Sequence, residues 1–369
     1  MTHAILVLPA LLAGCLAPAR QDTLITPPPQ APNPLDAIVL DQMANRHIPG
    51  LSLAIMKDGS LVKATGYGLA NVQLNVPATP ETVYQIQSIT KSFTATGVMM
   101  LVEEGKIDLD APISKYLDGT PDTWKDIAVR NLLTHTSGIK DFINEPTASL
   151  RLDVTEEEVL KAAAPRPLNF RPGETYAYSN TNYHLLAMII RKVTGKFYGD
   201  FLRERIFEPL GMTHTAVISR YDDIPNAAAG YIRKNNVLRN GQFIAPSILG
   251  YGGGGIRSTV LDMAKWDAAL YTERLLKKAS LEQMWTPARL DNGQTLGYGF
   301  GWFVATVNGH RRLAHSGGHV TGFSSIIHRY PDDRITIVVF TNLSLADPGR
   351  IASRLAECYI PDLAHSASK

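Results

Sequence analysis

Three short groups of residues have the types and order needed for nucleophilic attack on a carbonyl. The first is Ser88-Ile89-Thr90-Lys91. A serine hydroxyl is a weak nucleophile until a base removes its proton, and a lysine one helical turn on shares its face. Ser-x-x-Lys occurs four times, at Ser60/Lys63, Ser88/Lys91, Ser137/Lys140 and Ser366/Lys369, so context must choose. Ser60 opens a strand, where residues three apart face opposite sides; Ser137 lies in a Thr-Ser-Gly turn and Ser366 in the tail. Only Ser88 begins a long apolar helix, where a plain helix cap is its bland alternative. The second group is Tyr178-Ser179-Asn180. A phenol relays protons when a nearby ammonium lowers its pKa, and an amide can hold a lysine and a carbonyl in register. Its alternative is a turn in which Asn180 caps a helix at Tyr183. The third is His315-Ser316-Gly317-Gly318, whose glycines would let a strand edge approach a ligand and offer N–H groups to an oxyanion. A simple hairpin turn is the competing reading.

The elements that must position these groups follow from pattern. Leu35 to Asn45 reads as a helix, and Leu51–Lys57 with Leu61–Gly68 as a hairpin turned by Asp58-Gly59. A second β block comprises Gly299–Thr306, Arg311–His315, Gly322–Tyr330 and Ile335–Thr341. Asp347-Pro348 then starts a terminal helix holding Cys358. Between them, Thr90–Glu104, Thr155–Ala163, Tyr183–Thr194, Tyr198–Glu208 and Thr259–Leu270 are helical, with Thr155 and Glu158 forming a capping box. The predicted fold is α/β of the α+β type: one antiparallel sheet flanked by helices, built from both ends of the chain, with a mainly helical region inserted. The expected division is a catalytic domain over 35–360, with 35–80 and 290–360 as the α/β part, 81–289 as the helical part and 361–369 as a tail.

Taken together, the three groups resemble the serine β-lactamase and penicillin-binding protein superfamily, most closely its class C-like branch with family VIII esterases and D-amino-acid peptidases. Tyr84 to Gln87, Leu132 to Gly138, Pro172-Gly173, Gly254 to Trp266 and Gly297 to Val304 agree with the same pattern. The resemblance implies the β-lactamase/transpeptidase-like fold and an acyl-enzyme at Ser88. Lys91 and Tyr178 would share the general-base role, the choice between them being open. Asn180 would orient Lys91 and the substrate amide, and the backbone N–H groups of Ser88 and Gly318 would form the oxyanion hole. His315 and Gly317 replace the Lys-x-Gly of efficient β-lactamases. A mostly neutral histidine attracts a substrate carboxylate weakly and in a pH-dependent way, with Arg311 or Arg312 as possible compensation. Glu145-Pro146-Thr147 lacks the Leu-Asn continuation of a class A-like deacylation site.

Composition narrows the partners. The 369 residues carry 36 Lys+Arg against 34 Asp+Glu, a net charge of +2, with no basic run, which argues against nucleic acid. There is no Gly-x-Ser-x-Gly, His-Glu-x-x-His or Gly-Lys-Ser/Thr phosphate loop, so neither a metal nor a cofactor is expected. Ala4 to Ala13 is a ten-residue apolar run too short to cross a bilayer; with Leu12-Ala13-Gly14-Cys15 it resembles a lipoprotein signal, 1–14, ahead of a proline-rich tether, 15–34. In that reading Cys15 is lipidated and the protein is a periplasmic, membrane-anchored hydrolase; the alternative is a soluble secreted one. The expected substrates are small molecules or peptides: esters, D-amino-acid peptides or β-lactams. The competing function is a binding or sensing lipoprotein without turnover.

Overall fold

The computed structural model describes Met1 and residues 33–142, 153–217, 222–245 and 251–367. The expected signal, Cys15 and most of the tether, together with Glu145, lie outside the described residues. Asn33 caps helix α1 (Pro34–Arg46), its side chain accepting from the Leu35 N–H at 3.0 Å. Strands β1 (Gly50–Lys57) and β2 (Ser60–Asn71) follow, joined through Asp58 and Gly59 at φ 54° and 77°, the backbone that an Asp-Gly hairpin turn uses. A short β3 (Val76–Pro77) pairs with β2.

The middle of the chain is mainly helical. It holds a one-turn 3-10 helix (Gln87–Ile89) leading into α2 (Thr90–Glu103), then α3 (Val129–Leu133), α4 (Glu156–Ala163) and α5 (Asn180–Thr194). The Thr155–Glu158 capping box of α4 is formed, with both reciprocal bonds in place. Next come α6 (Tyr198–Leu202), α7 (Glu208–Leu210), α8 (Tyr251–Gly254), α9 (Val260–Ala269) and α10 (Lys278–Trp285). Short strands β4 (Tyr84–Gln85), β5 (Ala216–Val217) and β8 (Ile256–Ser258) make a small sheet, and β6 (Tyr231–Lys234) with β7 (Val237–Asn240) a hairpin. The C-terminal part supplies β9 (Phe303–Val307), β10 (His310–His319), β11 (Phe323–Tyr330), β12 (Ile335–Thr341) and α11 (Pro348–Glu357).

The large sheet has the order β3-β2-β1-β12-β11-β10-β9, antiparallel throughout, with Leu51 opposite Thr341 where the two ends of the chain meet. Successive residues of β1 and β12 serve two cores. Leu53, Ile55, Ile337 and Val339 pack with α1 and α11, while Ala54, Met56, Val338 and Phe340 pack with the helical region. Burial on both faces explains why β12 reads as an unbroken apolar run. Helix and sheet are also pinned by an ion pair: Arg329 of β11 donates from Nε to Asp267 of α9 at 2.5 Å, both side chains at most 1% exposed. Thr336 adds a bond to the same carboxylate at 2.8 Å, and the guanidinium lies over Tyr271 and Trp285.

The mixed α/β architecture agrees with the expectation; several boundaries do not. The 198–208 helix is broken by a π-turn at Arg203–Phe207, and β9 starts at Phe303 because Gly301, at φ 74°, turns the chain just before it. Helix α5 begins at Asn180, three residues earlier than predicted. Asp347 makes no side-chain cap, and Cys358 is an exposed residue just past α11. Most consequential, β10 runs straight through Ser316, Gly317 and Gly318, which pair with Ile326, Ser325 and Ser324; they do not form a turn.

Candidate active site

Ser88 lies in the 3-10 turn ahead of α2 and makes no capping bond, so the helix-cap reading does not apply. Gln87 before it adopts φ 52°, a left-handed conformation that non-glycine residues seldom take. Its side chain, 3% exposed, donates to Thr321 Oγ1 at 2.9 Å, and Ser325 donates to the Ile86 carbonyl at 2.7 Å. The turn carrying Ser88 is thus tied to β11 and to the β10–β11 connection. Gly317 makes the close approach possible: a Cβ there would stand 2.4 Å from Ile86 O and 2.7 Å from Gln87 Cβ. β9 pairs with β10 only from His310 to Ala314, which leaves the β10 edge from His315 onward without a strand partner on that side among the described residues.

Lys91, one turn on, is completely buried. Its Nζ is 3.2 Å from Ser88 Oγ, 2.9 Å from Asn180 Oδ1 and 2.6 Å from the Gly253 carbonyl of α8. That carbonyl comes close because α8 rests on α5 through glycine; a Cβ on Gly252 would sit 2.2 Å from Tyr183 O. Burial pulls the Lys91 ammonium down from 10.5 to about 7, with the Asp141 carboxylate opposing. The positive end of the α2 dipole acts in the same direction as burial.

Tyr178 faces Ser88 and Lys91, its phenol in hydrogen-bonding reach of Ser88 and its ring centroid 4.7 Å from Lys91 Nζ. Burial raises its pKa far above the usual phenol value, Ser88 only partly offsetting this, so it is a neutral hydroxyl at pH 7. His135 stacks on it at 4.3 Å between centroids, and its Nδ1 accepts from the Ser179 N–H at 3.2 Å. Burial, then Lys91, holds His135 neutral. Asn180 is the first residue of α5 and does not cap it; its Nδ2 donates to Asp141 Oδ2 at 2.8 Å.

His315 departs from the expectation. Its ring is buried against Tyr298 and Phe303, Nδ1 facing Ser316 O at 2.8 Å and Nε2 facing the Tyr298 hydroxyl at 3.1 Å. A carbonyl only accepts, so Nδ1 carries the proton and Nε2 accepts. Burial and the neighbouring Lys91 push its pKa down to about 3. The imidazole is therefore neutral at pH 7 and offers no cation to a carboxylate there. Nor do the arginines: Arg311 is engaged by Glu282 and Asp332, and Arg312 lies beside Tyr330 and His328.

The chain thus brings Ser88, Lys91, Tyr178, Asn180, His315 and Gly317 to one place, with Gly318 next along β10. Sequence reasoning missed His135, Asp141, Tyr298 and the Gly253 carbonyl. The first two flank the Thr-Ser-Gly turn noted as a segment of family pattern, which was the available signal; a backbone carbonyl has none. No group of three or more metal-ligating side chains exists among the described residues.

Comparison with known proteins gives a consistent answer. The Beta-lactamase family profile matches residues 35–357. Penicillin-binding protein 4* of Bacillus subtilis (strain 168) is 30% identical over 324 residues, covering 82% of this chain and 70% of that protein. Among solved structures, the octameric penicillin-binding protein homologue from Pyrococcus abyssi superposes with TM-score 0.76 at 33% identity, covering 89% of this chain and 77% of that one. The D-amino acid amidase from Ochrobactrum anthropi SV3 superposes with TM-score 0.78 at 28% identity, covering 89% and 98%.

Proposed function

The chain belongs to the Beta-lactamase family, and from that premise we propose that it hydrolyses esters and D-amino-acid amides through an acyl-enzyme on Ser88. The observation that carries this reading is Lys91: a buried amine with a pKa of about 7, 3.2 Å from Ser88 Oγ. As the free base it accepts the Ser88 proton while Oγ bonds to the substrate carbonyl carbon. The carbonyl oxygen becomes an oxyanion, placed between the N–H groups of Ser88 and Gly318. Collapse expels the amine or alcohol, which needs a proton. Tyr178, within reach of Ser88, relays it: its hydroxyl passes a proton to the leaving group as the Lys91 ammonium returns the one taken from Ser88, so both groups regain their resting forms. Water then attacks the acyl-enzyme by the same route in reverse.

Substrate preference follows from what β10 lacks. With His315 neutral and Arg311 paired elsewhere, β10 presents no fixed cation to a substrate carboxylate at this position, which disfavours penicillins and carboxylate-ended peptides relative to uncharged esters and amides. The likeness to the D-amino acid amidase supports the amide part of the reading. The test is to give the protein and Ser88→Ala a p-nitrophenyl ester, a D-alanyl p-nitroanilide and a fluorescent penicillin, following product and protein mass together. Turnover of the first two with a transient adduct on Ser88 is expected. Turnover undiminished in Ser88→Ala refutes the assignment, and a permanent adduct without turnover favours a sensor.

A further inference from the structure

Asn180 has two chemically opposite ends, and what it does for Lys91 depends on which end faces the amine. Its Nδ2 donates to Asp141 Oδ2 at 2.8 Å and its Oδ1 accepts from Lys91 at 2.9 Å. An ionised carboxylate only accepts, so the contact with Asp141 permits one orientation of the amide: NH2 toward Asp141, oxygen toward Lys91. Lys91 then faces two groups that can only accept, Asn180 Oδ1 and the Gly253 carbonyl at 2.6 Å. A neutral amine has two N–H bonds and one lone pair. With both N–H bonds committed, the lone pair is left for the third neighbour, Ser88 Oγ at 3.2 Å. A flipped amide would present N–H to the amine and draw the lone pair away from Ser88.

We propose that Asp141 is a positioning residue: by fixing the Asn180 amide it aims the Lys91 lone pair at the Ser88 hydroxyl. The inference rests on the acyl-enzyme reading above. It also sets the pH response. The titratable groups facing Lys91 among the described residues are Tyr178 and Tyr183, with rings 4.7 and 5.5 Å from Nζ, the buried His135 and His315, and Asp141. The two histidines are held neutral and the phenols stay protonated, so Asp141 is the carboxylate that favours the ammonium.

The test compares the full chain with Asp141→Asn and Asp141→Glu, measuring kcat and KM for an uncharged p-nitrophenyl ester from pH 5 to 10, with thermal melts as a folding control. For Asp141→Asn, whose amide can pair with Asn180 in either orientation, kcat should fall at least tenfold with KM little changed. The acid limb of kcat/KM should move to lower pH, because the ammonium loses its carboxylate. Asp141→Glu, keeping the charge, should leave the limb in place and recover part of the rate. A limb that stays or rises in Asp141→Asn overturns the inference whatever the loss of rate, since a purely structural defect lowers rate without moving it. Labelling of Ser88 by a fluorophosphonate separates the two claims: no label in the wild type, with turnover intact in Ser88→Ala, overturns the acyl-enzyme reading and this inference with it. Labelling and turnover intact with an unmoved limb overturns the inference alone.

Discussion

Replacing Lys91 by Met tests, without any substrate, whether the buried amine is poised to act as a base. The Lys91 pKa is lowered from 10.5 unfolded to about 7 folded, so between these values the unfolded chain binds the proton more tightly. Folding stability of the wild type therefore rises with pH across that window, and the burial penalty is fully present below it. The drop in pKa corresponds to a total penalty of about 5 kcal/mol, of which about 3 kcal/mol is relieved between pH 7 and pH 9.5. Met carries no proton, so Lys91→Met lacks this term. It leaves Asn180 Oδ1 and Gly253 O without their donor, at about 1–3 kcal/mol each, a cost that does not depend on pH. The stability difference between the two proteins is thus expected to shift by about 3 kcal/mol in favour of the wild type from pH 7 to pH 9.5. Urea unfolding of both at the two pH values measures it, and other titrating groups cancel in the comparison. A difference that stays constant within about 1 kcal/mol would mean that Lys91 is not held near neutrality, and the base assignment would fall with it.

Three further substitutions probe the frame that holds Ser88 and the sheet behind it. His315→Lys puts an amine where both ring nitrogens are bonded and Lys91 is already close; we expect a lower melting temperature and lower kcat/KM on every substrate, and improved hydrolysis of carboxylate-bearing ones would contradict the buried, neutral placement. Gly317→Ala forces a methyl against Ile86 O and Gln87 Cβ, so acylation of Ser88 should slow at least tenfold for a stability cost of about 1–3 kcal/mol; an acylation rate equal to wild type would show that the turn tolerates displacement. Asp267→Ala strands the buried Arg329 guanidinium and should cost about 3–5 kcal/mol in urea unfolding, while a loss under about 1 kcal/mol would show that the pair does not hold helix and sheet together.

The legible parts of the site were those governed by short-range geometry. Ser88 and Lys91 are one helical turn apart, Asp58-Gly59 dictates its own turn, and the Thr155–Glu158 box forms as written. What stayed hidden depends on long-range packing. Asp141 reaches Asn180 because the segment after α3 folds back over the start of α5, where the Phe142 N–H bonds Thr181 Oγ1. His315 looked like a residue before a turn because glycine pairs usually mark turns; here partners in β11 carry the strand onward and bury the ring. Its neutrality follows from that burial, and burial at a single position is not written in neighbouring letters.

The meeting of β1 with β12 has a consequence for how the protein comes into being. Leu51 leaves a ribosome long before Thr341, so the central pairing of the sheet must wait until all the residues between them have been made. The turn bearing Ser88 is held against β10 and β11, which are also late. A nascent chain that stops short of these strands thus carries Ser88 and Lys91 but not the β10 and β11 contacts that hold their turn. If Ser88 acylates as proposed, synthesis order delays that step until these strands are in place.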